Sequence, residues 1–298
     1  MSTATATAPS CATMYCRNHR DRLAAWACRK CEDSYCPDCV NVRDVRGAEI
    51  EVCPSCSEMC QDVRKLNFTL ANEGKFFSML PDAFSYPIAG MGIAYLLIGV
   101  VFFGGLQIFA MVSMLGKMCA LIGAGYFTAW LFKIVNETAM GQKEISNWPD
   151  VSDVYSDIIG PLWSSFLTVL ASFGPAIALF LAGIVVHPLF FLPALFFLAA
   201  GALFYPMAFL ATALQTRLMW SPSIIIGSIG RVLGPYVVVC ALSLAIGVAL
   251  GIGGLIMQIM SPILGGVLMY AASMYFTVVQ MRLLGLLYFT NQRALGWF

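Results

Sequence analysis

Between residues 88 and 289 the chain passes through six apolar segments, and this run limits the possible folds more than any other feature. They cover roughly 88–112, 114–135, 161–186, 188–215, 235–260 and 262–289. A helix needs about 20 apolar residues to cross a bilayer, and inside the hydrocarbon it must satisfy every backbone group internally. Each segment is long enough. The first two form one continuous apolar stretch, too long for a single span, and the sequence "SMLGK" at 113–117 divides it. His187-Pro188 and Ser261-Pro262 mark two further tight turns, with proline at the first position of the next helix, where no N–H is required. The expected body is an all-α polytopic membrane bundle of six transmembrane helices over 88–290, followed by a tail at 291–298.

The chain is 59% hydrophobic and 11% charged, whereas a soluble domain carries about 25% charged residues. The charge is unevenly spread. Of the 33 Lys, Arg, Asp and Glu residues, 18 fall in residues 1–65. A polar head therefore precedes an oily body. Its expected parts are a disordered leader at 1–14, a metal-binding domain at 15–62, and a linker with an interfacial helix at 63–87. The start, "MSTATATAPSCATM", has neither a basic region nor an apolar run, so the head is expected to stay on the synthesis side of the membrane. Arg64, Lys65, Lys75, Lys133, Lys143, Arg217, Arg231, Arg282 and Arg293 fall on one side of the spans and Lys117 on the other. That imbalance places both termini in the cytoplasm.

The head holds four ligand pairs at metal spacing: Cys16/His19, Cys28/Cys31, Cys36/Cys39 and Cys53/Cys56. Two residues of separation let both donors sit on one tight turn, and zinc takes four such donors in a tetrahedron. Two pairs are C-P-x-C, where proline fixes φ. In reducing cytosol these pairs read as ligands for two zinc ions rather than as disulfides. Spacing alone also permits sequential pairing, Cys16/His19 with Cys28/Cys31. Because all four pairs are complete, the sites are expected to be structural rather than catalytic. Cys11 and Cys60 flank them as spare thiols. Nine Lys/Arg balance nine Asp/Glu in residues 1–65, and seven thiolates on two dications make the module net negative, so nucleic acid is not expected as a partner. Trp26 and Tyr35 are candidate aromatic anchors for a protein partner, or else members of the small core.

The pattern C-x2-H at 16–19, C-x2-C at 28–31, C-x4-C-x2-C from Cys31 to Cys39 and the last pair at 53–56 resembles B-box-type zinc modules and the short zinc-binding heads of bacterial membrane proteins. The resemblance implies a cross-brace, with Cys16, His19, Cys36 and Cys39 on one ion and Cys28, Cys31, Cys53 and Cys56 on the other. Eukaryotic B-boxes usually place histidines in the last pair; here both are cysteines. The body resembles the Yip-type superfamily of small multi-span proteins and a neighbouring bacterial family of unknown function. The matching features are "LPDAFSYP", "AMGQKEISNWPDVSDV" and "LFYPMAFLA". Yip-type proteins more often have five spans. The resemblance implies membrane organisation rather than a reaction, and a bacterial cytoplasmic membrane as the location.

The connections suggest docking surfaces. Trp148, Val151, Val154, Tyr155 and Ile158 recur at helical spacing, which predicts a short amphipathic helix on the interface over 144–158, with Trp148 and Tyr155 as further partner-binding candidates. Phe76, Phe77, Leu80 and Phe84 predict another before the first span. Lys133 and Arg282 lie near span ends and are expected to snorkel outwards. Gly247 and Gly251 are expected to support close packing within the bundle, with a dimer face as the alternative. No catalytic motif occurs on a plausible scaffold, so no enzyme is expected. Three functions remain: a membrane adaptor or scaffold whose head binds a protein partner, homo-oligomeric in one version; a lipid or small-solute transport protein with an accessory zinc domain; and a zinc or redox sensor, which needs labile thiols. A wide polar cavity would favour transport; a tightly packed interior would favour the scaffold.

Overall fold

The computed structural model describes residues 15–28, 31, 33–45, 48–58, 60–63, 72–145, 147–214, 221–260 and 262–297. The leader, Cys11, Arg64, Lys65, Arg217 and Ser261 lie outside the described residues. The chain divides into two compact units, Met1–Glu73 and Gly74–Phe298.

The first unit is built on short strands. Strand β1 (Trp26–Cys28) pairs antiparallel with β2 (Ser34–Tyr35) on one side and with β5 (Cys60–Asp62) on the other. Between them, β3 (Asn41–Val45) and β4 (Ala48–Val52) form a separate hairpin in register from Asn41 opposite Val52 to Val45 opposite Ala48. The core is a handful of side chains: Cys28, Tyr35, Cys53 and Cys60, with Trp26 and Val40 against them. So little apolar surface does not hold a domain folded unaided.

The second unit is helical. Its elements are α1 (Phe76–Ser85), α2 (Gly92–Val112), α3 (Met114–Ala139), α4 (Gly160–Val185), α5 (Phe191–Ala213), α6 (Pro222–Arg231), α7 (Leu233–Met260), α8 (Pro262–Thr290) and α9 (Gln292–Leu295). Six of these, α2, α3, α4, α5, α7 and α8, are long and apolar enough to cross a membrane. The long apolar stretch breaks at Ser113, whose backbone is extended and whose hydroxyl accepts from the Gly116 amide at 2.9 Å. That is an N-cap, and it restarts the helix on a new axis. At the next turn the His187 ring caps in the same way, accepting from the Leu189 amide at 3.2 Å ahead of Pro188.

The spans pair as three consecutive hairpins, α2/α3, α4/α5 and α7/α8, and α8 touches α1, α2, α3, α5 and α7. Burial follows this arrangement. The spans at α3, α5 and α8 are 39% buried, against 11% for those at α2 and α7, so the former are inner helices and the latter outer. Packing is concentrated at one end of the bundle, around Trp130, Ile134, Met207, Leu210, Leu283 and Leu287. At the opposite end Met111, Val112, Val185 and Ile259 are each more than 80% exposed. In a bilayer such side chains face lipid, which solvates them as well as a protein core would. Interhelical hydrogen bonds run through Thr168 and Thr212 (2.8 Å between hydroxyls) and from Asn136 Nδ2 to the Ala213 carbonyl at 2.7 Å.

Three expectations need correction. Residues 147–153 do not form an amphipathic helix; only one wide helical turn, Tyr155–Ile159, precedes α4. Pro149 lacks a donor for a helix, and the preceding chain is pinned to α3: Lys133 Nζ donates to the carbonyl and to Oδ1 of Asn147, both at 3.1 Å. The Tyr126 hydroxyl donates to the Pro149 carbonyl at 3.0 Å. Arg282 does not snorkel: it is 5% exposed, held within the bundle by polar partners. A Cβ placed on Gly247 or Gly251 would meet open space, because α7 leans on α8 and its other face is uncovered. The helix before the first span is present as α1, with Phe76 and Ala83 buried and Phe77 exposed.

Candidate metal centres

Four tight turns supply eight donors. Cys16 and His19 sit on a turn closed by hydrogen bonds from the Arg22 amide to the His19 carbonyl (3.1 Å) and from the Cys16 amide to the Arg22 carbonyl (2.9 Å). Cys36 and Cys39 flank the 3-10 turn Pro37–Cys39, where the Cys39 amide donates to the Cys36 carbonyl at 3.0 Å. Cys28 ends β1 and its amide donates to the Asp33 carbonyl at 2.8 Å, which folds the chain back past Cys31. Cys53 and Cys56 share a turn closed by the Ser57 amide on the Cys53 carbonyl at 2.9 Å. Ser57 takes a left-handed φ of 59° to complete it.

The sheet then brings alternate turns together. Cys16, His19, Cys36 and Cys39 form one group and Cys28, Cys31, Cys53 and Cys56 the other, each with its donor atoms within 4.8 Å of one another. The grouping is cross-braced, and the sequential pairing is excluded. His19 Nδ1 lies 3.5 Å from Cys36 Sγ and 3.2 Å from Cys39 Sγ, and Cys28 Sγ lies 3.5 Å from Cys56 Sγ. Around a tetrahedral zinc, ligand bond lengths place sulfurs about 3.8 Å apart and sulfur about 3.5 Å from nitrogen. The donor set therefore fits such an ion. Each group could hold one.

Electrostatics point the same way. Burial opposes ionisation of Cys16, yet the amides of Cys36, His19 and Asn18 directed at its sulfur bring the thiol down to about 6. Cys53 follows the same logic: burial raises it, while the amides of Cys56 and Ser55 and the Tyr35 hydroxyl lower it to about 6. Their neighbours move the other way. Cys31 is pushed up to about 12, first by its hydrogen bond with Cys56 and then by desolvation, and burial raises Cys39. Four crowded sulfurs resist joint ionisation, and a dication among them removes that resistance.

Metal occupancy is expected to depend on pH with a definite sign. The thiolate form of Cys16 and Cys53 is favoured in the fold, so their contribution is complete above the ordinary thiol value of 9.0 and is lost as pH falls through about 6. Titration with a chromogenic chelator present should show metal release beginning near that value, and release unchanged from neutral pH to well below it would contradict this ligand set.

Support for the ligands comes from the same short elements. The Tyr35 hydroxyl lies 2.8 Å from Ser55 Oγ and 3.8 Å from Cys53 Sγ, and the residue is 1% exposed. Tyr35 therefore steadies a ligand and is not available as a surface anchor. Trp26 packs partly buried against the same core. Arg17 pairs with Asp33, joining the turns of the two groups, and Arg22 pairs with Asp38, joining the two turns of the first group. Cys60 is buried opposite Cys28, and desolvation with the nearby sulfurs pushes its thiol up to about 12, so it packs as a neutral group. In the bundle, Trp148 stacks on Trp130 with ring centroids 4.1 Å apart, which makes it a core residue, whereas Tyr155 is 72% exposed. Tyr15 and Leu23 carry no motif that marks them in the sequence. They face each other across an antiparallel bridge and are 51% and 64% exposed, flanking the first ligand pair. No protein-family description, curated protein or solved structure matches the chain.

Proposed function

We propose that this chain is a non-enzymatic membrane adaptor: two zinc ions fold the head, the bundle anchors it, and the head captures a protein partner at the membrane surface. The observation that carries the reading is the closure of both donor groups, four protein ligands each, on a unit too small to fold by apolar burial. A catalytic zinc keeps one position for water or substrate; a structural one does not. The exposed pair Tyr15 and Leu23 gives the head an apolar contact surface beside the first group. Tethering confines that surface near the bilayer and raises its effective concentration towards membrane-associated proteins. Two cavities among the described residues of the bundle, of about 1000 and 450 Å³, are lined mainly by apolar side chains, which supports an anchor over a path for polar solutes.

The test is cross-linking in native membranes from the full-length protein, beside Leu23→Glu and Tyr15→Ser variants. Both variants should keep two zinc ions per chain, because neither residue is a donor. Loss of an apolar anchor costs about 2 kcal/mol at an interface, or roughly thirtyfold in affinity. The cross-linked partner should therefore fall to background. A partner captured equally by both variants would place the contact elsewhere, and no specific cross-link in the wild type would remove the adaptor reading.

A further inference from the structure

We infer that Cys60 is the resolving thiol of a peroxide-sensitive disulfide with Cys28, which forms as the second donor group gives up its metal ion. The inference rests on the two-ion reading of the head and is independent of the adaptor role. Five cysteines meet at that group. Cys28, Cys31, Cys53 and Cys56 are its donors, and Cys60 is buried in one cluster with Cys28 and Cys53 without belonging to either donor set. Among the described residues it is the one cysteine of the head outside both sets, and its sulfur interacts with those of Cys53, Cys28 and Cys56.

Strand register puts the pair at bonding distance. Cys28 of β1 stands opposite Cys60 of β5 in an antiparallel ladder. The Cys28 amide is engaged on the other side, donating to the Asp33 carbonyl at 2.8 Å, and further along the ladder the Val63 amide donates to the Ala25 carbonyl at 2.8 Å. Hydrogen-bonded and non-hydrogen-bonded pairs alternate along such a ladder. Ala25/Val63 and Ala27/Gln61 are then of the first kind, and Cys28/Cys60 is of the second. Opposite residues of a non-hydrogen-bonded pair have Cα atoms about 4.5 Å apart and side chains on one face. A disulfide takes Cα separations of about 4.4–6.8 Å. The bond therefore fits the strand spacing already present.

The chemistry selects Cys60 over the donors as the second partner. A sulfur bound to zinc has a lone pair committed to the metal, so a donor has to leave the ion before it attacks a neighbour. Cys60 stands outside the donor set and carries no such commitment. Solvent reaches the group at Cys31 and Cys56, both half-buried, and Cys28 Sγ lies 3.5 Å from Cys56 Sγ. Hydrogen peroxide, little larger than water, enters there. The Cys28 thiolate attacks one peroxide oxygen, the O–O bond breaks, hydroxide leaves to be protonated by solvent, and a sulfenic acid remains on Cys28. The Cys60 sulfur then attacks the Cys28 sulfur. An S–S bond forms, the S–O bond breaks, and the departing hydroxide takes the Cys60 proton as water. The sulfurs are oxidised to a disulfide and the peroxide is reduced to water. Cys31, Cys53 and Cys56 alone leave the tetrahedron incomplete, and the group no longer holds its ion. The first group has no further cysteine against it among the described residues, so one ion of two is lost.

The experiment exposes the full-length protein in detergent to hydrogen peroxide and follows released zinc with a chromogenic indicator. Remaining thiols are then alkylated and disulfide-linked peptides mapped by mass spectrometry. Reduced wild type should hold two ions, release one, and yield a Cys28–Cys60 linked peptide; dithiothreitol with added zinc should restore the second ion. Cys60→Ser and Cys60→Ala should each hold two ions when reduced, because Cys60 is not a donor. Both should keep them through the exposure that empties one wild-type group. Two substitutions guard against a packing fault in one, and the wild-type peptide map decides the question even where a variant fails to fold. Release from both variants at the wild-type rate overturns the inference. So does a wild-type disulfide between donors alone, such as Cys28–Cys31 or Cys53–Cys56, and so does wild type that keeps both ions under peroxide. Reduced wild type with fewer than two ions would instead fail the two-ion reading, and the inference with it.

Discussion

Removal of the metal is expected to unfold residues 15–63 and leave the helices of 74–298 intact. The two units are compact separately, and among the described residues the head's central cluster is four buried side chains, three of them cysteines. Structural zinc contributes on the order of 10–16 kcal/mol per site at neutral pH, more than such a core supplies by burial. A chelator should therefore make the head a substrate for limited proteolysis while a fragment beginning near Gly74 survives. The far-UV helical signal should hardly change, because the long helices among the described residues lie in the second unit. Changing Cys28→Ser together with Cys53→Ser removes two donors from one group and should lower the zinc content from two ions to one. Cys60 is no substitute: it is buried and neutral beside that group. A head that resists protease after complete metal removal would show that the strands fold unaided, and the structural role would fail.

The spans were legible because lipid imposes a simple rule. Six apolar runs of sufficient length gave six helices within a few residues of the expected limits, and the breaks at Ser113 and His187 coincide with side-chain caps. The donors were legible because spacing within each pair is local. Pairing between turns is not local; it depends on β1 holding Cys28 opposite Cys60 while the 3-10 turn carries Cys36 and Cys39 towards His19. The resemblance implied that pairing, and spacing alone left it open. The failures share a cause. Trp148 and Tyr155 recur at helical spacing, but periodicity does not reveal that Trp130 offers Trp148 a stacking partner or that Lys133 fastens Asn147 in an extended chain. The same blindness hid Arg282, whose position near a span end suggested solvent until the loop at 140–145 folded over it.

Replacement of Arg282 by alanine is expected to cost the second unit about 2–3 kcal/mol, the range for losing charge-assisted hydrogen bonds and leaving a buried neutral acceptor unpaired. The guanidinium donates from Nη1 to Thr138 Oγ1 at 3.0 Å and to the Gln142 carbonyl, and its carbon stands 4.3 Å from the centre of the Tyr86 ring. Charge-assisted hydrogen bonds are worth about 1.5–3 kcal/mol each and a desolvated cation–π contact about 2, though contacts sharing one group do not add fully. Arg282→Lys keeps the cation and loses the planar fork, so its thermal midpoint should fall between those of alanine and wild type. An alanine variant that melts with wild type would show that Arg282 is tolerated rather than used. Around this arginine, Gln292 Nε2 donates to the Ala139 carbonyl at 3.0 Å, and the Gly74 amide donates to the Thr290 carbonyl at 3.0 Å. Gly74 is the first residue of the second unit, with φ of 72° that glycine adopts without strain. It fixes where the tether to the head begins. Loosening that end should open the chain near Gly74 to limited proteolysis, in step with the loss of stability, while the metal content of the protein stays unchanged.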